Sequence, residues 1–240
     1  VNVLYLFCMK SILIISDLHL PFEHPDTFDF LAKLKKEIKP DLVVSIGDIV
    51  DFSSIQVSRP NDPNVDSPVF ELEKSRPKIK KLEKLFPVMS VCWGNHDERL
   101  IRKAEMSGIP RSLLRDINSI LGVTAKWTWD DKFQIPLSSN QQLYLTHNFK
   151  KNALASAKEL GCSFAQGHYH TAFSCEFFSS PTALNFALNV GCLINPKAEA
   201  FRYQKNFLKR PILGCGAVIN GTPKLYPMTL DHNGKWLKKL

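Results

Sequence analysis

The chain has 240 residues, of which 44% are hydrophobic, and a formal net charge of +8 at pH 7. That length and apolar content can bury a sizeable core and fit one large domain, residues 1–240, better than two small ones. The basic balance favours acidic partners such as nucleic acid, nucleotides or phosphoproteins, although charge alone specifies no chemistry.

The cysteines and the apolar runs argue against a secreted or membrane protein. The six cysteines are widely spaced, and no Cys-x-x-Cys pair suggests zinc or thiol redox chemistry. We expect reduced, mostly buried thiols in a cytoplasmic protein. The N-terminal apolar run is too short for a secretory signal, and no later run could span a bilayer. Residue 1 is Val, whereas the segment from Met9 resembles a natural beginning, so residues 1–8 are interpreted as an upstream extension or alternative start.

Short apolar, β-branched runs alternate with amphipathic stretches along the chain, which predicts α/β layers. In chain order, the pattern predicts a strand at 12–15, a helix at 26–38, a strand at 42–46, a helix at 70–85 interrupted at Pro77, a strand at 88–93, and helices at 98–107, 111–121 and 152–160. The C-terminal third is predicted to be mainly strands, at "CEFF", "NFALNV", "GAVI" and "KLYPM".

Five apolar runs stop on Asp, Asn or His. They are "ILIISDLH", "LVVSIGDIVD", "VMSVCWGNHD", "LYLTHN" and "SFAQGHYH". A single such ending is more often a turn or a cap than a ligand, because Asn and Asp favour turns. Five together favour ligands, since the carboxyl ends of strands in open α/β sheets line a common crevice.

The chemistry of these endings predicts a metal site. Imidazole and carboxylate together bind Zn, Fe or Mn, and no thiolate is offered. The ligands are too many for one ion. Two metal ions about 3.5–4 Å apart would use them all, with one carboxylate bridging, and would clamp the attacking and leaving oxygens of a displacement at phosphorus. The pattern therefore predicts phosphoester hydrolysis.

The same endings resemble the ordered motif set of the calcineurin-like metallophosphoesterases over residues 12–170. The motifs are Asp17-x-His19, Gly47-Asp48-x-x-Asp51, Gly94-Asn95-His96-Asp97, His147 and Gly167-His168-x-His170. The resemblance implies a β-sandwich flanked by α-helices, with a dinuclear metal site at the strand ends. Mn²⁺ is the expected metal, because a site rich in imidazole suits it better than Mg²⁺, and Fe, Zn, Ni and Mg are the alternatives.

The resemblance also implies a role for each motif residue. One metal ion would be held by Asp17, His19 and His170, and the other by Asn95, His147 and His168, with Asp48 bridging them. His96 resembles the family's catalytic histidine, close to the scissile phosphate, and Asp97 would orient its imidazole and favour the imidazolium form. The metals would activate water as the nucleophile. Asp51 either hydrogen-bonds within the site or caps the loop that follows.

The family does not select a substrate, so local features must. Arg99 and Arg102 begin a predicted helix beside His96 and are candidates for phosphate contact. The basic cluster at 74–84 is interpreted mostly as a solvated face. Residues 195–210, with Arg202 and Lys205, interleave aromatic and basic residues, which suits either single-stranded nucleic acid or a core-filling sheet edge. The polar loop 52–67 either contacts substrate or is a disordered connection.

Three classes of function follow. The leading hypothesis is a metal-dependent hydrolase whose substrate is a phosphodiester of DNA, RNA or a nucleotide. Its rival is a phosphatase acting on phosphoproteins or small phosphomonoesters. The third is a scaffold that kept the fold but lost catalysis, as the retromer subunit of the family did, and the intact ligand set including His96 counts against it. The sequence indicates no oligomeric state.

Overall fold

The computed structural model describes residues 11–55, 67–198 and 210–240. Within these ranges, the strands in chain order are β1 (Ser11–Ile15), β2 (Leu42–Ser45), β3 (Val88–Cys92), β4 (Lys126–Asp130), β5 (Lys132–Ser138), β6 (Gln141–Thr146), β7 (Ser163–Gln166), β8 (Phe173–Ser179), β9 (Leu184–Val190), β10 (Gly214–Ile219) and β11 (Thr222–Pro227). The helices are α1 (Thr27–Ile38), α2 (Pro68–Leu85), α3 (Arg99–Met106), α4 (Ile117–Leu121) and α5 (Ala153–Leu160), with one 3₁₀ turn at Arg111–Leu113.

Two β-sheets carry the fold. The first has six strands in the order β11-β10-β1-β2-β3-β4, and the second has five in the order β5-β6-β7-β9-β8. Strands β1, β2, β3 and β4 pair in parallel with one another in that order, as do β6, β7 and β9. Strand β10 is antiparallel to β1, β5 to β6, and β8 to β9. The carboxyl ends of β1, β2 and β3 therefore share one edge of the first sheet, and those of β6 and β7 share one edge of the second.

Alternating apolar residues bury both faces of the first sheet. Ile12 and Ile14 of β1 face the core between the sheets, where they join Leu143 and Leu145 of β6. Leu13 and Ile15 belong to the core beneath the helices, with residues of α1 and α2. On the far side of the second sheet, α5 packs against residues such as Phe164. The expected β-sandwich flanked by α-helices is confirmed.

Local sequence sets the helix ends. Helix α1 ends at Lys39, which adopts the left-handed conformation before Pro40 prevents continuation. Helix α2 begins after Ser67, whose side chain accepts a hydrogen bond from the backbone N–H of Phe70. The prediction that Pro77 interrupts α2 is wrong. The helix runs through it, because the buried residues on either side hold the helix against the core.

Two further predictions need correction. The helix predicted at 111–121 is divided into the 3₁₀ turn and α4, because Leu114 is extended and the Asp116 side chain caps α4 by accepting from the N–H of Ser119. Strands β4 and β5 were not predicted. Each mixes exposed charged or polar residues with buried or half-buried ones, so neither forms a continuous apolar run.

Several sequence features lie outside the described ranges, namely residues 1–8, most of the loop 52–67, and Arg202 with Lys205. Among the helices that the structure does describe, none combines the length and apolar character needed to cross a membrane. The five cysteines of the described ranges are free thiols.

Candidate metal centre

Polar side chains from both sheets converge where the strands end. Asp17 and His19 follow β1, Asp48 follows β2, Asn95 follows β3, His147 follows β6, and His168 and His170 follow β7. Backbone contacts join the two edges. The N–H of His168 donates to Oδ2 of Asp17 at 2.9 Å, across the gap between the sheets. The structure therefore brings together all seven side chains that the sequence predicted as metal ligands.

The backbone is strained at four of these positions. Asp17, His19, Asp48 and His168 have φ values of 50°, 50°, 53° and 65°, in the left-handed region that residues with a Cβ rarely adopt. Each such residue costs on the order of 1–3 kcal/mol, and such strain clusters at functional sites. The strained backbone of these loops directs the four side chains into the site.

The first group of ligand atoms lies at the edge between β1 and β7. Nε2 of His170 is 3.1 Å from Oδ1 of Asp17 and 3.2 Å from Nε2 of His19. Nε2 of His19 is 3.6 Å from Oδ1 of Asp17. These three atoms are close enough together to hold one metal ion.

The second group lies around His147. Its Nε2 is 2.9 Å from Oδ1 of Asn95, 3.2 Å from Nδ1 of His168 and 3.3 Å from Oδ2 of Asp48. The same Oδ2 of Asp48 is 3.5 Å from Nε2 of His19 in the first group. Asp48 thus stands between the two groups, in the position of a bridging ligand.

Hydrogen bonds outside the two groups decide which atoms carry protons. Nδ1 of His147 contacts the carbonyl oxygen of Ile46 at 2.8 Å, and Nδ1 of His19 contacts Oδ1 of Asp51 at 2.6 Å. Both contacts require a proton on Nδ1, so in the neutral form of each ring the lone pair of Nε2 is directed into the site. Lone pairs and carboxylate oxygens therefore face one another, and this donor set fits divalent cations.

The pKa values of the buried Asp and His side chains also indicate a site that attracts cations. Burial opposes ionisation, but the nearby histidines outweigh it and hold the pKa values of Asp17 and Asp48 below their ordinary range. Burial also opposes the charging of His147, yet the charge of Asp48 raises the pKa of His147 to about 9. Burial and the charge of His147 lower the pKa of His168. The carboxylates thus create a negative potential that attracts positive charge into the site.

The carboxylate beside His96 is Asp51. Nδ1 of His96 is 2.9 Å from Oδ1 of Asp51 and 2.8 Å from its backbone carbonyl oxygen. The same Oδ1 is the partner of His19, so one carboxylate oxygen orients both rings. Despite burial, these histidines hold the pKa of Asp51 well below its usual value. Asp51 was expected either to hydrogen-bond within the site or to cap the loop that follows, and the structure shows the hydrogen bonds within the site.

The prediction that Asp97 orients His96 is wrong. Its carboxylate turns away from the ring and accepts from the N–H groups of Val50 at 3.1 Å and Gly94 at 3.2 Å. Asp97 is buried, and burial together with the charge of Asp48 raises its pKa to about 8. Its contacts join the loops that follow β2 and β3. His96 itself could complete a third ligand group with His19 and Asp48.

Arg99 lies at the site. Arg102 makes no contact with those residues of the site that the structure describes. Nη1 of Arg99 donates to the carbonyl oxygens of Asp51 and Phe52, and Nη2 is 3.2 Å from Nε2 of His96. Arg102 is exposed further along α3. On α2, Lys78 pairs with Glu23, which agrees with a structural and solvated role for the basic cluster at 74–84.

Glycine is required at two positions where the loops touch. A Cβ on Gly94 would lie 2.1 Å from Oδ1 of Asp48, and a Cβ on Gly167 would lie 1.8 Å from Oγ of Ser16. Ser16 in turn hydrogen-bonds to Oδ2 of Asp17. The motif glycines therefore let neighbouring loops approach the ligands closely.

Sequence reasoning missed the residues that support the ligands. Glu71 of α2 is buried and accepts from the N–H groups of Ser53 at 2.8 Å and Ser54 at 2.9 Å, which anchors the loop after Asp51. No local signal identifies this contact, because the partners are 17 and 18 residues apart. The support of Asp17 by Ser16 was also missed, although the two residues are adjacent.

The sequence profile of the family described as calcineurin-like phosphoesterase matches residues 10–192 of this chain. No curated protein matches the chain significantly. The solved structure of Vps29 from Chaetomium thermophilum is 14% identical, with a TM-score of 0.52, and the match covers 95% of this chain and 93% of that one.

Two further solved structures match at 14% identity. YfcE, a phosphoesterase from E. coli, has a TM-score of 0.42, with coverage of 96% of this chain and 98% of that one. A metallophosphoesterase from Sphaerobacter thermophilus has a TM-score of 0.44, with coverage of 92% and 88%. At these identities a structural match concerns the fold alone.

Proposed function

Because the chain belongs to the calcineurin-like phosphoesterase family, we propose that it is a phosphoester hydrolase that uses two divalent metal ions. The observation that carries the proposal is the pair of ligand groups that share Asp48, with His96 and Arg99 beside them. A scaffold without catalysis would not need this set to be complete. We also propose that the chain is a single domain and that it is cytoplasmic. The cysteines of the described residues are free thiols, which supports the cytoplasmic location.

Each metal ion has a proposed ligand set. Asp17, His19 and His170 would hold one ion, Asn95, His147 and His168 would hold the other, and Asp48 would bridge. Bound divalent ions supply Lewis acidity, which activates water and neutralises charge on the phosphoryl group. The imidazole-rich set favours Mn²⁺ over Mg²⁺.

His96 is proposed to transfer a proton, and Arg99 is proposed to bind the phosphate. Nδ1 of His96 keeps its proton in the contact with Asp51, and Nε2 accepts from Nη2 of Arg99, so Nε2 would deliver a proton to the leaving oxygen once Arg99 turns to the phosphate and Nε2 is protonated. Arg99 holds its guanidinium beside that atom, where it can contact a phosphate oxygen. Two backbone carbonyls fix the guanidinium in place.

The favoured substrate is a phosphodiester of nucleic acid or of a nucleotide. The net charge of +8 supports a polyanionic substrate over a small neutral one. A phosphatase acting on phosphoproteins or small phosphomonoesters is the alternative, because it needs the same metals and His96.

The test is hydrolysis by metal-depleted protein after adding back Mn²⁺ or Mg²⁺. The substrates are a phosphomonoester, a small diester, and single- and double-stranded DNA. We expect no activity without metal, strong activity with Mn²⁺, weaker activity with Mg²⁺, and cleavage of the diesters. Undiminished hydrolysis by protein that elemental analysis shows to be metal-free would contradict the mechanism. Hydrolysis of the monoester alone would favour the phosphatase.

A further inference from the structure

Two tryptophans stand side by side next to the candidate metal centre. Trp93 follows β3 and precedes Asn95 by two residues, and Trp129 lies on the neighbouring strand β4. Their ring centroids are 4.6 Å apart, with an angle of 39° between the planes. Both side chains are partly exposed, and Nε1 of Trp129 donates to Oδ1 of Asn118 at 2.8 Å, which fixes that ring.

One face of Trp93 already carries a planar group. The guanidinium of Arg111 lies over the Trp93 ring, 4.6 Å from its centroid. Arg111 is exposed and belongs to the short 3₁₀ turn. A flat, delocalised cation stacks on an aromatic face much as a heteroaromatic ring does, so a base that displaced the exposed Arg111 side chain would find a face of suitable shape.

Trp93 forms the wall between two clefts. The larger, of about 490 Å³, is lined by residues including Trp93, Arg111, Arg115, Thr128 and Trp129. Its size falls in the range of roughly 300–1,000 Å³ that is typical of small-ligand sites. The smaller cleft, of about 240 Å³, is lined by Trp93 together with the proposed ligands Asn95 and His147. Trp93 is therefore shared by the larger cleft and by the cleft at the candidate metal centre.

We propose that the Trp93–Trp129 cleft binds a nucleobase of the substrate while its phosphodiester lies at the metal centre. The inference rests on the proposed function and specifies its substrate class. Stacking on tryptophan suits any base, because every base has a π-face. Arg115 also lines the cleft, and its guanidinium suits the acceptors on the polar edge of a base, whereas the phenyl ring of a phosphotyrosine has no polar edge.

The test compares two oligonucleotides with the same phosphates. One is a short thymidine oligonucleotide, and the other replaces its bases with abasic sites. Binding is measured by calorimetry on the metal-loaded His96→Ala variant, which should keep both metals and cleave too slowly to disturb the measurement. We expect this protein to bind the base-bearing strand roughly 5- to 150-fold more tightly, the range expected for stacking of one base.

Variants of Trp129 identify the stacking surface. Trp129→Phe keeps an aromatic face and should keep most of the preference, whereas Trp129→Leu keeps apolar bulk without that face and should abolish it. Lys126→Ala removes an exposed positive charge from the same strand, outside the cleft, and should leave the ratio of the two affinities unchanged. Equal melting temperatures of the Phe and Leu variants would exclude a folding defect.

The outcomes separate this inference from the proposed function. Base-dependent binding without any hydrolysis would support the cleft and contradict the proposed function. Metal-dependent hydrolysis with equal binding of both strands, or with no binding of the base-bearing strand, would overturn the cleft and leave the proposed function intact. Trp129-dependent binding of a phosphotyrosine peptide, without base preference in the oligonucleotides, would overturn the inference in favour of an aryl phosphate.

Discussion

Replacing Asp51 by Asn tests whether one carboxylate orients both His19 and His96. Oδ1 of Asp51 is 2.6 Å from Nδ1 of His19 and 2.9 Å from Nδ1 of His96. Hydrogen bonds to a charged group are each worth about 1.5–3 kcal/mol, so the pair represents about 3–6 kcal/mol. Asparagine keeps the shape and one acceptor oxygen but loses the charge. Loss of such partners to metal ligands typically costs about 10–100-fold in activity or metal affinity, and we expect that range for Asp51→Asn.

The assay is hydrolysis of a small diester over a titration of Mn²⁺, which separates turnover from metal affinity. Asp51→Asn should lower the turnover and weaken the metal affinity. Asp51→Ala should lose about 100-fold or more in turnover, because His19 then has no side-chain acceptor and His96 keeps only the backbone carbonyl oxygen of residue 51. Asp130→Asn is the matched control, since Asp130 is exposed at the end of β4. Unchanged turnover and metal affinity in Asp51→Asn would refute the reasoning, as would an equal loss in the Asp130 control.

Three other variants test the remaining roles. Asp48→Asn should weaken both metal sites together, and two tightly bound ions with normal turnover would show by elemental analysis that Asp48 is not the bridge. His96→Ala should keep both metals and lose about 10²–10⁴-fold in turnover, most for esters with poor leaving groups, whereas loss of metal would make His96 a ligand. Arg202→Ala with Lys205→Ala should lower activity on single-stranded DNA and flatten its salt dependence while sparing a small diester. Equal effects on both substrates would instead indicate a folding defect.

The ligand positions could be predicted because their signals are local. An apolar strand that ends in Asp17 or His147 is visible within a few residues, and parallel strands bring such ends together whatever their separation in sequence. The strands of the sandwich core were predictable for the same reason. Strand β4 was not, because an edge strand buries only part of one face and its sequence, "KWTWD", keeps its charged ends exposed.

The partner of His96 could not be predicted because side-chain direction depends on the backbone. Asp97 is adjacent in sequence, but its carboxylate points from the loop towards the amides of Val50 and Gly94. Asp51 reaches His96 from the loop after β2, 45 residues away, and is followed by Phe52 with a φ of 46°. A sequence motif gives the identity of these residues, whereas only the assembled loops give their pairing.

The division of the proposed ligands between the two sheets would link metal binding to folding. Each group takes ligands from the loops of both sheets, since Asp17 and His19 meet His170, and Asp48 meets His147. Neither group can form until the sandwich has closed, so cations bind the native chain in preference to the unfolded one. Such binding stabilises a protein by about 2.7 kcal/mol when free metal is one hundred times its dissociation constant. The resistance of this protein to heat should therefore rise with the free metal concentration of its buffer and fall when a chelator is added.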